Sequence, residues 1–290
     1  MPLAYIIPNK FFGASYGKAI RNYLNKEKSV LSIWDLKDEK VFKAAQISTI
    51  VFIASDYKEK NKTRIILEKK ERLVENIYDD KLKIQLESNE EEKSFIEKIN
   101  SISVPLENLA NIRTGIMGFE YWAMEPIIMS NGKLDKLNVP IYTNGNLRQY
   151  DDRWSTSEIT LYKRKYNKPT IELNKQFLNE NTIELFKTSP KIIVRGVAKK
   201  VTAIMDNRGA GLLVAVHSII PKKISLKTLL AILNSDFINW LHLKTFYSIR
   251  IPQGSLKYPV EFFKNIPIPK GLIENKQIEE LVSKILNINE

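Results

Sequence analysis

The sequence predicts an α/β segment at the N-terminus, followed by a larger α+β domain. Residues 1–56 alternate short runs of apolar, β-branched residues with one helical pattern. From residue 106 onward, aromatic residues, Gly and Pro divide the chain into short apolar runs that suit strands. Positive charge is concentrated in residues 104–270, which hold 24 Lys and Arg against 13 Asp and Glu. Composition therefore changes where the fold class is predicted to change.

Residues 1–56 give the order strand, helix, strand, loop, strand. Residues 3–7 are a short apolar run that Pro8 ends, which suits a buried strand. Ser15 can cap a helix that runs to about residue 25. Residues 30–36 and 47–54 are rich in β-branched residues and predict two further strands. We interpret this order as the second half of a Rossmann-like sheet that no first half precedes.

Three further segments complete the predicted organisation. Residues 57–103 are dense in charge and are predicted to be a connector. Residues 104–270 are predicted to form the α+β domain, in which two apolar runs between residues 192 and 204 form a hairpin with a basic tip. Ser225 is a potential N-cap for a strong core helix with leucines at helical spacing. Residues 271–290 are predicted to contain an amphipathic helix.

Composition excludes several classes of site. The chain has no Cys, so disulfides and thiolate metal sites are impossible. Its two histidines, His217 and His242, are predicted to be core or surface residues rather than metal ligands. Neither a signal peptide nor an apolar run long enough to cross a membrane is found, so a cytoplasmic protein without membrane contact is expected. The residue patterns of metal-dependent nucleases and serine hydrolases are also missing.

The net charge of +12 points to a polyanionic partner. Residues 1–103 hold 19 Lys and Arg against 16 Asp and Glu, whereas residues 271–290 hold 2 against 4. The excess of positive charge therefore lies almost wholly in residues 104–270. Charge alone does not separate a nucleic-acid surface from an ordinary basic surface.

Several side chains in this basic region have chemistry that suits duplex DNA. Lys163, Arg164 and Lys165 alternate with flanking tyrosines, as in surfaces that contact phosphates. Arg195, Lys199 and Lys200 lie on and around the predicted hairpin. Arg250 and Gln253 follow the core helix, and Arg contacts guanine while Gln contacts adenine in the major groove. For each of these residues a solvated surface side chain is the alternative.

Three blocks of sequence carry a family resemblance: KIIVRGVAKKVTAIMD, LLAILNSDFINWLHLKTF and SLKYPVEFFKNIPIP. In this order they resemble the C-terminal specificity domain of TaqI-type adenine DNA methyltransferases and of fused type IIG restriction-modification enzymes. The start LENLANIRTGI, with Arg113, is similar to the start of that domain. The turn at Asn146 resembles a family Gly-Arg-Asn-(Leu/Ile) turn but lacks its Arg, for which Arg148 can substitute. The resemblance implies that this region recognises double-stranded DNA.

The N-terminal blocks LAYIIPNKFFGASYGKAIRNYL and SVLSIWDLKDEKVFKAAQISTIVFIA resemble the part of the methyltransferase fold that follows its catalytic motif. The resemblance implies that Phe42 stacks on a flipped adenine; packing under the sheet is the alternative. The chain contains neither Asn-Pro-Pro-Tyr nor Asp-Pro-Pro-Phe, and no glycine-rich turn for S-adenosylmethionine. We therefore expect no catalytic residues and no cofactor in this chain, although the complete family enzyme uses S-adenosylmethionine.

The sequence thus predicts the DNA-specificity part of an adenine methyltransferase or restriction-modification system. Its expected partners are double-stranded DNA and a complementary methyltransferase half or restriction subunit, because the first strand exposes an apolar edge. One alternative is part of a single-chain type IIG enzyme that methylates adenine and cleaves DNA. A second is a basic RNA-binding or scaffold protein.

Overall fold

The structure is a computed structural model of mixed α/β class with several small sheets. It describes residues 2–27, 29–36, 48–55, 62–67, 70–78, 83–84, 86, 89–246, 250–251 and 255–289. The chain forms two compact units. The first unit consists of Met1–Lys93 and Trp240–Lys257, and the second unit consists of Ser94–Asn239 and Tyr258–Glu290.

A five-stranded sheet dominates the first unit. Its strands are β1 (Leu3–Pro8), β2 (Val30–Asp35), β3 (Thr49–Ala54), β4 (Thr63–Leu67) and β5 (Lys70–Val74), in the order β1-β3-β2-β4-β5. Strand β3 is antiparallel to both β1 and β2, β2 is parallel to β4, and β4 is antiparallel to β5. Helix α1 (Lys18–Lys26) connects β1 to β2. A hairpin of β20 (Arg250–Ile251) and β21 (Ser255–Lys257) also belongs to this unit.

The predicted strand, helix, strand and strand of residues 1–56 are confirmed in their order, and the predicted loop before the last strand lies outside the described residues. Buried Ile33, Ile50 and Phe52 form the centre of the apolar core of this unit. Arg21 of α1 is buried, and its Nη1 donates to the Phe11 carbonyl at 2.6 Å and to the Ala14 carbonyl at 2.9 Å. The prediction of a buried first strand was wrong, because β1 is an edge strand whose residues are mostly exposed.

The segment interpreted as a charged connector, residues 57–103, contributes β4 and β5 to this same sheet. These strands are rich in charge because only alternate residues are covered. Thr63 and Ile65 are buried, whereas Arg64 between them is exposed and pairs with Glu71 across the strands. Helix α2 (Glu90–Ser101) then crosses the chain boundary between the two units.

The second unit is built from short strands and helices. Its strands are β6 (Ser103–Pro105), β7 (Ala110–Thr114), β8 (Ile128–Met129), β9 (Asn138–Tyr142), β10 (Leu147–Arg148), β11 (Asp151–Asp152), β12 (Ile159–Leu161), β13 (Arg164–Tyr166), β14 (Thr170–Glu172), β15 (Lys191–Arg195), β16 (Val197–Ala198), β17 (Ala203–Asp206), β18 (Gly211–Leu212), β19 (Val216–Pro221) and β22 (Pro267–Pro269). Its helices are α3 (Phe119–Ala123), α4 (Glu180–Lys187), α5 (Leu226–Leu233), α7 (Val260–Lys264) and α8 (Lys276–Asn289). Helix α6 (Asp236–Thr245) crosses the other chain boundary between the units.

Two four-stranded sheets, β17-β15-β19-β7 and β18-β9-β14-β8, enclose most of the core of the second unit. The predicted hairpin is confirmed, since β15 pairs antiparallel with β17. The single core helix predicted after Ser225 is instead two helices, α5 and α6, which are separated at Asn234 and Ser235. Within the described part of the chain, no helix has the length and apolar character needed to cross a membrane.

A fully buried ion pair joins β15 to β17. Lys191 and Asp206 lie opposite each other in the register, with Nζ 3.1 Å from Oδ2. Lys191 Nζ also donates to the carbonyls of Leu185, Phe186 and Thr188, at 3.1, 3.1 and 2.7 Å. The ammonium group therefore fastens the C-terminal end of α4 to the strand pair. Burial lowers the pKa of Lys191, and Asp206 opposes that effect.

Lys191→Met is expected to lower the free energy of unfolding by about 3–5 kcal/mol, because it leaves the Asp206 carboxylate buried without its partner. Urea unfolding measures this change. Lys191→Met combined with Asp206→Leu is expected to recover part of the loss, because no charge is then left buried. Equal stability of the single and double variants would contradict this account.

Candidate nucleic-acid interface

Two arginines of the second unit lie close together, and neither forms an ion pair among the described residues. Arg148 is exposed on β10 and Arg195 is half-buried at the end of β15. Arg195 Nη2 donates to the Leu147 carbonyl, and its buried Nε has no hydrogen-bond partner. Burial, and secondly the positive charge of Arg148, lower the pKa of Arg195. Among the described residues, no carboxylate forms an ion pair with either guanidinium.

The two lysines that the sequence predicts at a hairpin tip lie in the same part of the unit. Lys199 and Lys200 are exposed in the turn that follows β16. Lys200 Nζ lies 2.7 Å from Asp236 Oδ1 in an exposed ion pair. We define the basic cluster as Arg148, Arg195, Lys199 and Lys200. Its members come from β10, β15 and one turn, and among the described side chains only Lys200 forms an ion pair. Asp151, which lies opposite Arg148 in the β10–β11 register, is paired with Arg153.

Three amide side chains hold this turn in place. Gln149 Nε2 donates to the carbonyls of Val201, at 2.9 Å, and Asn234, at 3.1 Å. Asn239 Oδ1 accepts from the Val201 amide at 2.6 Å. Asn234 bonds both backbone groups of Ala203, accepting from the amide at 2.9 Å and donating to the carbonyl at 3.0 Å. The break between α5 and α6 therefore positions the turn that carries the lysines, a role that the sequence analysis did not assign to Asn234.

The basic stretch at residues 162–166 forms the turn and second strand of the β12–β13 hairpin, and most of its side chains have partners. Tyr162 and Tyr166 are buried. Arg164 Nη1 lies 3.3 Å from Glu125 Oε1, and Lys165 Nζ lies 2.8 Å from Glu158 Oε1. Lys163 is exposed at the tip, where Tyr162 and Lys163 have φ of 49° and 62°, as in a type I′ turn. Of the three cations, Lys163 is the one that forms no ion pair among the described residues.

The structure contradicts the predicted DNA contact of Asn146. Its side chain is fully buried and occupied by the backbone of its own loop. Oδ1 accepts from the Thr143 amide at 2.9 Å, and Nδ2 donates to the Ile141 carbonyl at 2.9 Å. Asn146 thus completes a capping box that shapes the turn before β10. It positions Arg148 and cannot itself reach a ligand.

The remaining predicted residues have different positions. Arg113 is exposed on β7 in the second unit. Arg250 begins β20, which belongs to the first unit, and only its backbone is described. Phe42 and Gln253 lie outside the described residues. The stacking role of Phe42 and the base contact of Gln253 therefore stay predictions.

Both histidines are buried and lie against backbone carbonyls. His217 Nε2 is 3.0 Å from the Tyr258 carbonyl, and His242 Nε2 is 3.0 Å from the Lys257 carbonyl. His217 also contacts the ring of Phe263 edge-on. Across the described ranges, no cluster of three or more His, Asp or Glu side chains could hold a metal ion.

The segment that contains the basic cluster is similar to a known family of specificity domains. Residues 139–268 match the model of the TaqI-like C-terminal specificity domain. The matched residues include Arg148, Arg195, Lys199 and Lys200. No curated protein matches the chain.

Solved structures of restriction-modification enzymes are also similar. The type IIL enzyme MmeI, solved in complex with DNA, has a TM-score of 0.53 at 10% identity over 99% of this chain and 42% of that chain. The type IIG endonuclease BpuSI has a TM-score of 0.46 at 12% identity over 98% of this chain and 42% of that chain. The HsdS subunit from Thermoanaerobacter tengcongensis has a TM-score of 0.31 at 10% identity over 64% of this chain and 39% of that chain. The similarity to MmeI shows a shared fold, and this chain spans about two fifths of the length of these structures.

Asn234→Ala is expected to expose the backbone of the turn, because the Ala203 amide loses its partner. Hydrogen exchange at residues 201–203 should accelerate about tenfold or more, because a hydrogen bond is lost and the unsatisfied amide costs about 1–3 kcal/mol. Asn265→Ala is the matched control, because the Asn265 side chain bonds only within its own helix turn, to Glu261. Unchanged exchange at residues 201–203 in Asn234→Ala would show that the turn is held in another way.

Proposed function

We propose that the second unit recognises specific sequences in double-stranded DNA. The observation that carries this proposal is the pair formed by Arg148 and Arg195. Burial and the nearby charge of Arg148 lower the pKa of Arg195, so this pair costs folding energy, and among the described residues neither an ion pair with a carboxylate nor a hydrogen bond to Arg195 Nε offsets that cost. A phosphate group between them would supply the missing negative charge and acceptor.

Two further features support a DNA ligand. The cations of the basic cluster lie on strands and on a turn fixed by amide side chains, which limits the entropy lost on binding. The match to a specificity domain covers the cluster. Phosphate contacts from Arg148, Arg195, Lys199 and Lys200 would supply affinity, and Arg113 and Lys163 would add to them. Arg250 and Gln253 stay the predicted contacts that distinguish bases.

We propose that this unit serves an adenine methyltransferase or restriction-modification system. In the first unit, β1 and β2 are both antiparallel to β3 and are joined by α1, which is compatible with the second half of a Rossmann-like sheet. The sequence contains no Asn-Pro-Pro-Tyr motif and no glycine-rich S-adenosylmethionine turn. We therefore assign the methyl donor and the adenine amine to a complementary methyltransferase half, and Phe42 to the flipped base.

A single-chain restriction enzyme is the second candidate. The observation that favours it is the fold shared with MmeI, described as a type IIL restriction-modification enzyme, over 99% of this chain. In that case the complementary half and a nuclease would belong to the same polypeptide as the two units.

The first unit has a surface suited to a complementary half. Strand β1 is an edge strand with Leu3, Tyr5 and Ile6 exposed, each by about half. In and before α1, Tyr16, Ile20 and Tyr23 are exposed at spacings of four and three residues, which places them on one helix face. An edge strand with large apolar side chains is a site for pairing with another chain. Since the chain spans 42% of MmeI, we propose that the other half of a methyltransferase sheet covers this surface.

Duplex binding is expected to weaken about a thousandfold between 50 and 200 mM salt if about six phosphates are neutralised. Arg148→Ala is expected to weaken binding at low salt and to reduce the slope of log affinity against log salt by about one. Fluorescence anisotropy with a labelled duplex measures both quantities.

Lys187→Ala is the matched control, because it removes an exposed cation of the same unit outside the basic cluster. A salt response that is flat, or equal in Arg148→Ala and Lys187→Ala, would contradict the proposed contact. Equal affinity for single-stranded RNA and duplex DNA would instead favour an RNA-binding protein, because groove recognition requires a duplex.

The chain by itself is expected to self-associate through β1 and α1, or to be stabilised by a complementary methyltransferase half. Tyr5→Lys with Ile20→Lys should reduce the association by placing charge on the apolar surface. Sedimentation velocity over a range of concentrations measures this, with Leu73→Lys as the control because Leu73 is exposed on β5 at the opposite edge of the sheet. A stable monomer that does not bind the complementary half would show that β1 and α1 are not a partner-binding surface.

A further inference from the structure

An exposed tryptophan on α3 has no role in the function proposed above. Trp122 is 57% exposed, and Met117, in the loop before α3, is 51% exposed. Two large apolar side chains exposed on one short loop and helix are more typical of an interaction site than of a surface without a ligand. Both residues belong to the second unit.

Trp122 is held in a fixed orientation by aromatic neighbours. Its ring centroid lies 5.4 Å from that of Tyr121 and 5.8 Å from that of Tyr162, both in edge-on contacts. Tyr121 and Tyr162 stack at 4.5 Å with their planes 11° apart. The Tyr162 hydroxyl donates to the Tyr121 carbonyl at 2.6 Å, so the helix is fastened to the β12–β13 hairpin. The indole is therefore positioned in advance, and little side-chain entropy remains to be lost on binding.

Lys163 and Arg113 are close in sequence to Tyr162 and to Met117, and Glu120 on α3 adds one exposed carboxylate. Lys163 follows Tyr162 at the hairpin tip, and Arg113 lies on β7 four residues before Met117. Both side chains are exposed, and within the described ranges neither forms an ion pair. Exposed cations in the segments next to an exposed aromatic ring suit a ligand that offers phosphates around an aromatic face, which is the chemistry of a nucleic acid. They do not suit an apolar protein surface, because the cations would be buried without partners.

The backbone next to this loop is strained. Val214 has φ of 52° and is 40% exposed, and its amide donates to the Ile116 carbonyl at 3.2 Å. A β-branched residue in this conformation is rare and costs about 1–3 kcal/mol. Such strain is concentrated at ligand-binding positions, where the required geometry outweighs its cost. Val214 thus adds a third apolar side chain beside the Met117 loop.

We propose that Trp122 stacks on a nucleobase of bound DNA and is a contact of the second unit separate from the basic cluster. This inference rests on the proposed function, since it requires that the second unit bind DNA. The indole would contact a base face that is opened at a distorted step, while Lys163 and Arg113 hold the flanking phosphates. Base stacking releases few counterions, so its contribution to affinity does not depend on salt, unlike that of the arginine pair.

The test compares Trp122→Ala, Trp122→Phe and the wild-type chain on a short duplex selected from a random pool with the wild-type chain. Trp122→Ala is expected to weaken binding about tenfold with an unchanged salt slope, and Trp122→Phe to retain most of the affinity. The emission of Trp122, obtained as the difference between the wild-type chain and Trp122→Phe, is expected to be quenched by the duplex. Phe177→Ala, which removes another partly exposed ring of the second unit, should bind as the wild type does.

Each other outcome overturns the inference in a recognisable way. Wild-type affinity in Trp122→Ala, together with weakened binding by Arg148→Ala, would remove Trp122 from the interface while the proposed function stands. Trp122 emission that shifts with protein concentration in the absence of DNA would show that the ring faces a second copy of the chain. Absence of duplex binding by the wild-type chain would overturn the proposed function and this inference together. Thermal unfolding of each variant establishes that the fold is retained.

Discussion

The hydrogen bonds between Asn234 and Ala203 are the constraint on which the candidate interface depends. Strand β17 is at the edge of its sheet, so the outward backbone groups of Ala203 have no strand to pair with. The Asn234 amide supplies both a donor and an acceptor, and thereby acts as a short piece of neighbouring strand. The Tyr150 amide donates to the same carbonyl at 3.1 Å. Through this one residue, the α5–α6 break, β17 and the strand that carries Arg148 are joined.

This arrangement explains why the basic cluster can be both charged and rigid. Its cations are placed by neutral amide side chains, which bond to backbone without cancelling positive charge. In contrast, the β12–β13 hairpin places Arg164 and Lys165 through ion pairs, which neutralise the charges that they orient. The basic cluster and the β12–β13 hairpin thus hold their cations in place by different interactions. Only in the basic cluster do the arginines stay available to a polyanion.

The sequence predicted the location of charge and the local elements better than it predicted individual contacts. Periodicity located β1, β2, β3 and α1, and the hairpin of β15 with β17, because these elements depend on neighbouring residues. The sequence predicted a DNA contact for Asn146 and no role for Asn234. The two side chains are chemically the same and differ only in the backbone groups that the fold places next to them. The helical leucine pattern continued through Asn234 and Ser235, so the break that sets the turn was invisible to periodicity. The β4 and β5 strands were hidden by charges on their exposed face.

The buried pair of Lys191 and Asp206 fixes the alignment of β15 against β17 at one end, and Asn234 fixes it at the other through Ala203. Sliding one strand by two residues would keep every apolar side chain on its own face, so apolar packing alone does not forbid that misalignment. The slip would, however, separate the two buried charges and leave each without its partner. The buried ion pair therefore fixes the register of β15. It thereby also fixes where Arg195, at the other end of that strand, meets the surface.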